Sequence, residues 1–289
     1  MNPQPDEPGA MPRRHSCVLV GAGPGDPELL TIKAVKALRR ASVVLVDDLV
    51  DRRVLRWVRR SARVIEVGKR GGCRSTPQVF IEKLMVHEVL RGERVVRLKG
   101  GDPLVLGRAG EEIAALTRAG LQVEVINGIT AGLAAAADLG LSLTHRDCAQ
   151  GVLFVTGHGR EDSAVDWEQL ARTAAGGVTL VVYMAVARLA QIREGLLGVL
   201  AGSTPVALVE GASRTGGRRV FGVLADLPGL AARHRIASPA ILLVGEVLGG
   251  QAARLVGEPG IGAHALHQVG IGEERAGEGD EICLACQQG

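Results

Sequence analysis

Residues 17–31 read CVLVGAGPGDPELLT, a β-branched run that passes through a glycine-rich turn toward a helix start. A strand entering a helix through glycines opens a parallel α/β sheet, and in dinucleotide-binding folds the same unit cradles a pyrophosphate. The spacing here departs from that fingerprint. Gly21 and Gly23 take the first two glycine places, but Asp26 stands at the third, where glycine permits close helix–sheet packing. Asp26 suits instead the cap of a helix beginning at Pro27, whose fixed φ and missing N–H fit the first helical position. A carboxylate there competes with a phosphate for the helix terminus, so a different ligand is expected at this loop.

Outward from this stretch, short β-branched runs alternate with helical stretches, the pattern of strands and crossover helices. SVVLV (42–46) leads into Asp47 and Asp48, RVIEV (63–67) into GKRGG, RVVRL (94–98) into KGGDP, and QVEVI (122–126) into NGIT. Each ends in glycine or charge, and ligands of open α/β sheets collect beyond the carboxyl ends of strands. Thr76 before Pro77 reads as a helix start, and Gly92 and Gly120 as helix ends. A small-residue helix from Thr130 to about Leu139 opens a second series, with VLFVTGH, TLVVYM, PVALVE, RRVFG and PAILLVGEV as strands. The expected organisation is two α/β domains with a cleft between them, the first a mostly parallel sheet. They span 16–126 and 127–249, and 250–289 is expected to be a disordered tail.

At 289 residues the chain has room for two domains of roughly 150 each, and 46% hydrophobic content is ample for their cores. Aromatic residues are 2% of the total (three Phe, two Trp, one Tyr) and the net charge is +3. Nucleic acid is thereby disfavoured as a partner, since single strands are gripped by aromatic platforms and phosphates by dense positive charge. A small molecule is expected. Five cysteines form no disulfide framework, and no run is long enough to cross a bilayer, so a cytoplasmic protein with no membrane association is expected.

Asp47 and Asp48 lie about twenty residues past the glycine turn, where a dinucleotide enzyme keeps its ribose-binding acid, so an NAD-binding reading stays open on spacing alone. An acid at a cleft rim can equally move protons, or cap the turn that follows. GKRGGCR places Lys69, Arg70 and Arg74 on one glycine-flexible loop, cations suited to carboxylates or to a merely solvated surface. KGGDP (99–103) can present bare peptide groups and one carboxylate to a ligand. His145 and His158 have no second ligand at metal spacing. In the tail, His264 and His267 precede Cys283 and Cys286, a set that could hold zinc but matches no finger spacing, and no metal is expected.

Taken in order, VGAGPGDPELLT, GKRGG, VVRLKGGDP with GRAGEE, GIT, LTHRD, VTGH, YM, PVALVE and SPAILLVGEV resemble the tetrapyrrole methylase superfamily, and within it the uroporphyrinogen-III C-methyltransferases, over about 16–248. The resemblance implies a homodimer with S-adenosylmethionine as cofactor and S-adenosylhomocysteine as product. It implies a tetrapyrrole substrate, uroporphyrinogen III, methylated on two pyrrole carbons to precorrin-2 on the way to sirohaem or cobalamin. Cofactor contacts are then expected at Pro24, Gly100, Gly101, Asp102 and Val105, and at Thr130, Ala131, Met184 and Ala212. Asp47 is implied as proton acceptor and Lys69 as proton donor, with Arg70, Arg74, Arg108 and Arg146 for substrate carboxylates. Departures from the common pattern are Val46 and Asp48 around the acid, Leu104 and Leu106 for phenylalanines, Asn127 for proline, GAS (211–213) for NGT, and Ala212 for glycine. A sister precorrin methyltransferase shares this fold and cofactor, and a non-catalytic S-adenosylmethionine-binding relative is the reading from another class.

Overall fold

The computed structural model describes residues 16–68, 76–159 and 165–249. The tail and its His and Cys pairs, and Lys69, Arg70 and Arg74, lie outside these residues.

Ten strands form two five-stranded sheets. In the first, β1 (Ser16–Gly21), β2 (Val43–Val46), β3 (Arg63–Glu66), β4 (Val95–Lys99) and β5 (Gln122–Ile126) run parallel in the order β3-β2-β4-β1-β5. All five runs read from the sequence are strands. The order differs from the dinucleotide arrangement 3-2-1-4-5: β4 lies between β2 and β1, so the KGGDP loop separates the glycine turn from Asp47. That removes the adjacency on which a ribose-binding acid depends.

Helices α1 (Ile32–Arg40), α2 (Gln78–Leu90) and α3 (Ala109–Arg118) link these strands. Asp26 caps as expected, accepting from the Glu28 N–H at 2.9 Å, but what it caps is a single 3₁₀ turn, Pro27–Leu29. The crossover helix starts later, where the Thr31 hydroxyl accepts from the Ala34 N–H at 3.1 Å. Thr76 caps nothing. Its hydroxyl donates to the Gly68 carbonyl at 3.4 Å, and Pro77 takes the cap position of α2.

The second sheet holds β6 (Gly151–Thr156), β7 (Val178–Tyr183), β8 (Pro205–Glu210), β9 (Arg218–Val223) and β10 (Ala240–Val244) in the order β6-β7-β10-β8-β9. Only β6 and β7 pair in parallel; β7, β10, β8 and β9 pair antiparallel in turn. The small-residue helix is α4 (Ala131–Asp138), and α5 (Trp167–Ala175), α6 (Leu189–Leu197) and α7 (Leu227–Arg233) follow. One face of this sheet packs Leu180, Val182, Leu208 and Leu242 against α5 to α7, and the other packs Val181, Val209 and Leu243 against α4. Both faces are covered and the core is mainly aliphatic, with Trp167 of α5 buried on one face and Phe154, Tyr183 and Phe221 partly buried against the other. The described residues belong to one compact unit; a division into two domains at 127 is our proposal.

Three strand ends of the first sheet interlock. The Gly23 N–H donates to the Gly101 carbonyl at 3.1 Å and the Gly101 N–H returns to the Gly23 carbonyl at 2.7 Å. A Cβ on Gly21 would stand 2.4 Å from the Gly128 nitrogen, and one on Gly128 would stand 2.3 Å from the Gly101 oxygen. The glycines of the opening turn therefore let loops after β1, β4 and β5 pack backbone on backbone.

Candidate active site

These loops form one wall of a cavity of about 650 Å³, within the range of small-molecule sites. Pro24 follows β1, Asp47 and Leu49 follow β2, Lys99 to Asp102 and Val105 to Arg108 follow β4, and Thr130 and Ala131 follow β5. The second sheet adds His158 after β6, Tyr183 and Met184 at the end of β7, Ala212 and Arg214 after β8, and Pro239 to Ile241 at β10. All nine positions expected at the cofactor line this one cavity, as do Asp47 and Arg108. Arg146 does not. It is exposed on a turn closed by the His145–Ala149 bridge.

The two adjacent acids face different surroundings. Asp47 is about one-third exposed, lines the cavity, and has its Oδ2 3.6 Å from an Arg97 guanidinium nitrogen. Asp48 turns instead across Gly68, where a Cβ would stand 1.4 Å from the Asp48 Oδ1. The Asp48 carboxylate is thus absent from the cavity lining.

Asp102 is buried and organises the loops. Its Oδ1 accepts from the Leu104 N–H at 2.8 Å, and its Oδ2 from the Gly128 N–H and the Asn127 side chain, both at 3.1 Å. Asn127 supplies a donor that the proline of relatives cannot. Tyr183, the chain's one tyrosine, shares a 2.6 Å hydrogen bond with the Thr130 hydroxyl and accepts from the Gly132 N–H at 2.9 Å, fixing the first turn of α4. Burial pushes its phenol above the ordinary range.

Backbone strain gathers here. Of five non-glycine residues with left-handed φ among those described, Leu106 (53°), Arg108 (58°) and Met184 (54°) line the cavity. Each such residue costs on the order of 1–2 kcal/mol. Leu106 and Met184 also remain about half exposed, an apolar lining open to a ligand. The Arg108 guanidinium, expected for substrate, is paired with Glu111 at 3.0 and 2.6 Å.

A clasp links loops of the two sheets at the cavity wall. The loop after β8 sends Arg214 to two carbonyls of the first sheet's loops, Nε to Pro24 at 3.3 Å and a terminal nitrogen to Leu49 at 2.6 Å. Beside it, the Ser213 hydroxyl accepts from the Asp26 N–H at 3.1 Å, and the Ser213 N–H donates to Asp138 at 2.8 Å. This is the work of the GAS segment.

Under the wall lies a charged cluster that sequence reasoning did not assemble. Arg97 and Lys99 sit on the same face of β4 and meet Glu112 in the first turn of α3: Arg97 Nε to Oε1 at 3.0 Å, Lys99 Nζ to Oε2 at 2.8 Å. All three side chains are under 5% exposed. Burial, then the charge of Arg97, holds the Lys99 ammonium below its ordinary range, against the pull of Glu112. The signal was legible: two cations inside a β-branched strand of a covered parallel sheet require a buried anion. Among the described residues no group of three or more His, Cys, Asp or Glu side chains is arranged for a metal ion.

The cavity's apolar walls and few converging polar groups suit a ligand of nucleoside size. Residues 16–228 match the family model for Tetrapyrrole (Corrin/Porphyrin) Methylases. The chain is 55% identical over 230 residues to a uroporphyrinogen-III C-methyltransferase of Pseudomonas aeruginosa, covering 79% of this chain and 92% of that one. A siroheme synthase of Chromobacterium violaceum is 48% identical over 83% of this chain, which spans 51% of that longer protein. A uroporphyrin-III C-methyl transferase from Thermus thermophilus, solved complexed with S-adenyl homocysteine, aligns with a TM-score of 0.68 at 40% identity, over 80% of this chain and 92% of its own. A cobalt precorrin-4 methyltransferase aligns with a TM-score of 0.74 at 28% identity, over 83% of this chain and 99% of its own.

Proposed function

Because the chain belongs to the tetrapyrrole methylase family, we propose that it transfers methyl groups from S-adenosylmethionine to two pyrrole carbons of uroporphyrinogen III, giving precorrin-2. The observation that carries this reading is the convergence of all nine positions expected at the cofactor on one cavity, in a chain 55% identical to a uroporphyrinogen-III C-methyltransferase over nearly that enzyme's full length.

When bound, S-adenosylmethionine supplies an electrophilic methyl group on a sulfonium. The chain's own residues supply geometry and proton handling. Thr130, Ala131 and the glycines of KGGDP present close backbone for the cofactor, held by the hydrogen bonds of Asp102 and Tyr183. Leu106 and Met184 offer half-exposed apolar surface against which a bound ligand displaces water. A pyrrole carbon is already nucleophilic, so alignment is the larger task, and a base is needed for the proton lost as the ring system rearranges. Asp47 is that base in our reading, on the cavity wall with Arg97 behind it. Lys69 as proton donor, and Arg70 and Arg74 as carboxylate ligands, belong to the same proposal, as do a homodimer and a cytoplasmic location. No described helix is long and apolar enough to cross a membrane.

The test is mass spectrometry of uroporphyrinogen III incubated with the protein and S-adenosylmethionine. A product carrying two added methyl groups is expected, heavier by two CH2 units because each transfer releases a proton. Methylation of a later corrinoid precursor but not of uroporphyrinogen III would favour the sister activity, and cofactor binding without turnover on either would favour a binding protein.

A further inference from the structure

The charged cluster beneath the cavity has one member that touches no ligand surface. Glu112 is fully buried and contributes nothing to the cavity lining, yet each of its carboxylate oxygens is committed to a different cation. One of those cations, Lys99, lines the cavity; the other, Arg97, reaches Asp47 at 3.6 Å. Gln78 of α2 adds a third contact at 3.4 Å, so the carboxylate is held from β4 and α2 together. We propose that Glu112 is a positioning residue of the methyl-transfer site: by pinning Arg97 and Lys99 it fixes the direction from which cations face the Asp47 carboxylate.

The physical case is the arrangement of charge. Two cations stand side by side between Glu112 at the α3 start and Asp47 on the cavity wall, and a core needing only stability gains little from such a set, because apolar replacements of similar volume are often as stable. Arg97 cannot turn away from Asp47 while Glu112 holds its Nε. Its Nη1 reaches the Leu45 and Leu98 carbonyls at 3.5 and 3.4 Å, which holds the guanidinium plane within the sheet end and leaves Nη2 facing Asp47. Neutralising Glu112 would leave both cations facing Asp47 without their counter-charge, making that carboxylate a weaker base. The other titratable groups near this set are the neutral thiol of Cys17 on β1, which feels both Glu112 and Arg97, and Asp48 in the same loop as Asp47. Asp102, Arg108, His158 and Arg214 line the same cavity as Asp47.

The inference rests on the reading of Asp47 as base, and the experiment separates the two. The full-length Glu112→Gln, Glu112→Asp and Asp47→Asn proteins are compared for folding, S-adenosylhomocysteine affinity by calorimetry, and kcat across pH. Glu112→Gln is expected to keep cofactor affinity within about twofold, to lose about tenfold to a hundredfold in kcat, and to move the acidic limb of the kcat profile to lower pH. Glu112→Asp keeps the charge and should restore that limb to its wild-type position, with kcat between the other two. A wild-type limb in Glu112→Gln, or equal displacement in both variants, would overturn the proposal. Should the Gln variant fail to fold, Glu112→Asp decides alone: lowered kcat at unchanged KM is expected, and wild-type kcat overturns it. Wild-type turnover in Asp47→Asn would instead sink the assignment of the base.

Discussion

Asp47 and Asp48 share a strand end and part company within one peptide unit. Asp47 lines the cavity with Arg97 behind it, whereas Asp48 lies across Gly68. Asp47→Asn keeps shape and removes basicity, so kcat is expected to fall on the order of a hundredfold while cofactor affinity holds. Asp48→Asn should turn over near the wild-type rate. The reverse result in steady-state assays would make Asp48 the base. Asp47's place on the cavity wall was legible because ligands of open α/β sheets collect at strand ends, but the choice of Asp47 over Asp48 came from the family resemblance. Glu112 was hidden because it begins an ordinary helix, where acids are common, and its partners lie 13 and 15 residues back. Tyr183 was marked only as part of the YM motif, and Arg214 carried no signal, since hydrogen bonds from Arg214 to residues 165 and 190 positions away leave no local pattern.

At the scale of elements, every run of β-branched residues became a strand: β2, β4 and β10 are buried at every position, as a covered sheet demands, whereas β3, β5 and β9 keep exposed positions. Their order was not legible. Placing β4 between β2 and β1 is decided by pairing across the chain, as is the antiparallel pairing that dominates the second sheet. The interlocked loop ends make a sharp test. Gly128→Ala puts a methyl group 2.3 Å from a backbone oxygen that no rotamer can move aside, and should destabilise by about 1–3 kcal/mol. Gly110→Ala, in the first turn of α3 with nothing within 4 Å, should be neutral or stabilise by up to about 1 kcal/mol. Urea unfolding of the two variants checks this, and equal midpoints would contradict the packing described.

The whole molecule senses alkali through its first strand. Cys17 is fully buried in β1, and burial, then the charge of Glu112, pushes its thiol up to about 12 from an ordinary value of 9.0. Between those values the unfolded chain gives up the proton and the folded one keeps it, so stability is intact below about pH 9 and declines as pH rises, by up to about 1.4 kcal/mol per pH unit. Cys17→Ala should lessen that decline; wild-type and variant unfolding curves that stay parallel from pH 8 to 11 would show that the thiol does not contribute. The Arg214 clasp bears on how freely such a protein can vary. Both of its acceptors are main-chain carbonyls, which belong to every amino acid, so side-chain replacement at positions 24 and 49 cannot delete them. Sequence drift on that side of the cavity is tolerated so long as the backbone path is kept. The liability falls on two codons: the arginine, which alone supplies the donors, and Gly25, where a Cβ would stand 2.4 Å from the arginine's own Cγ.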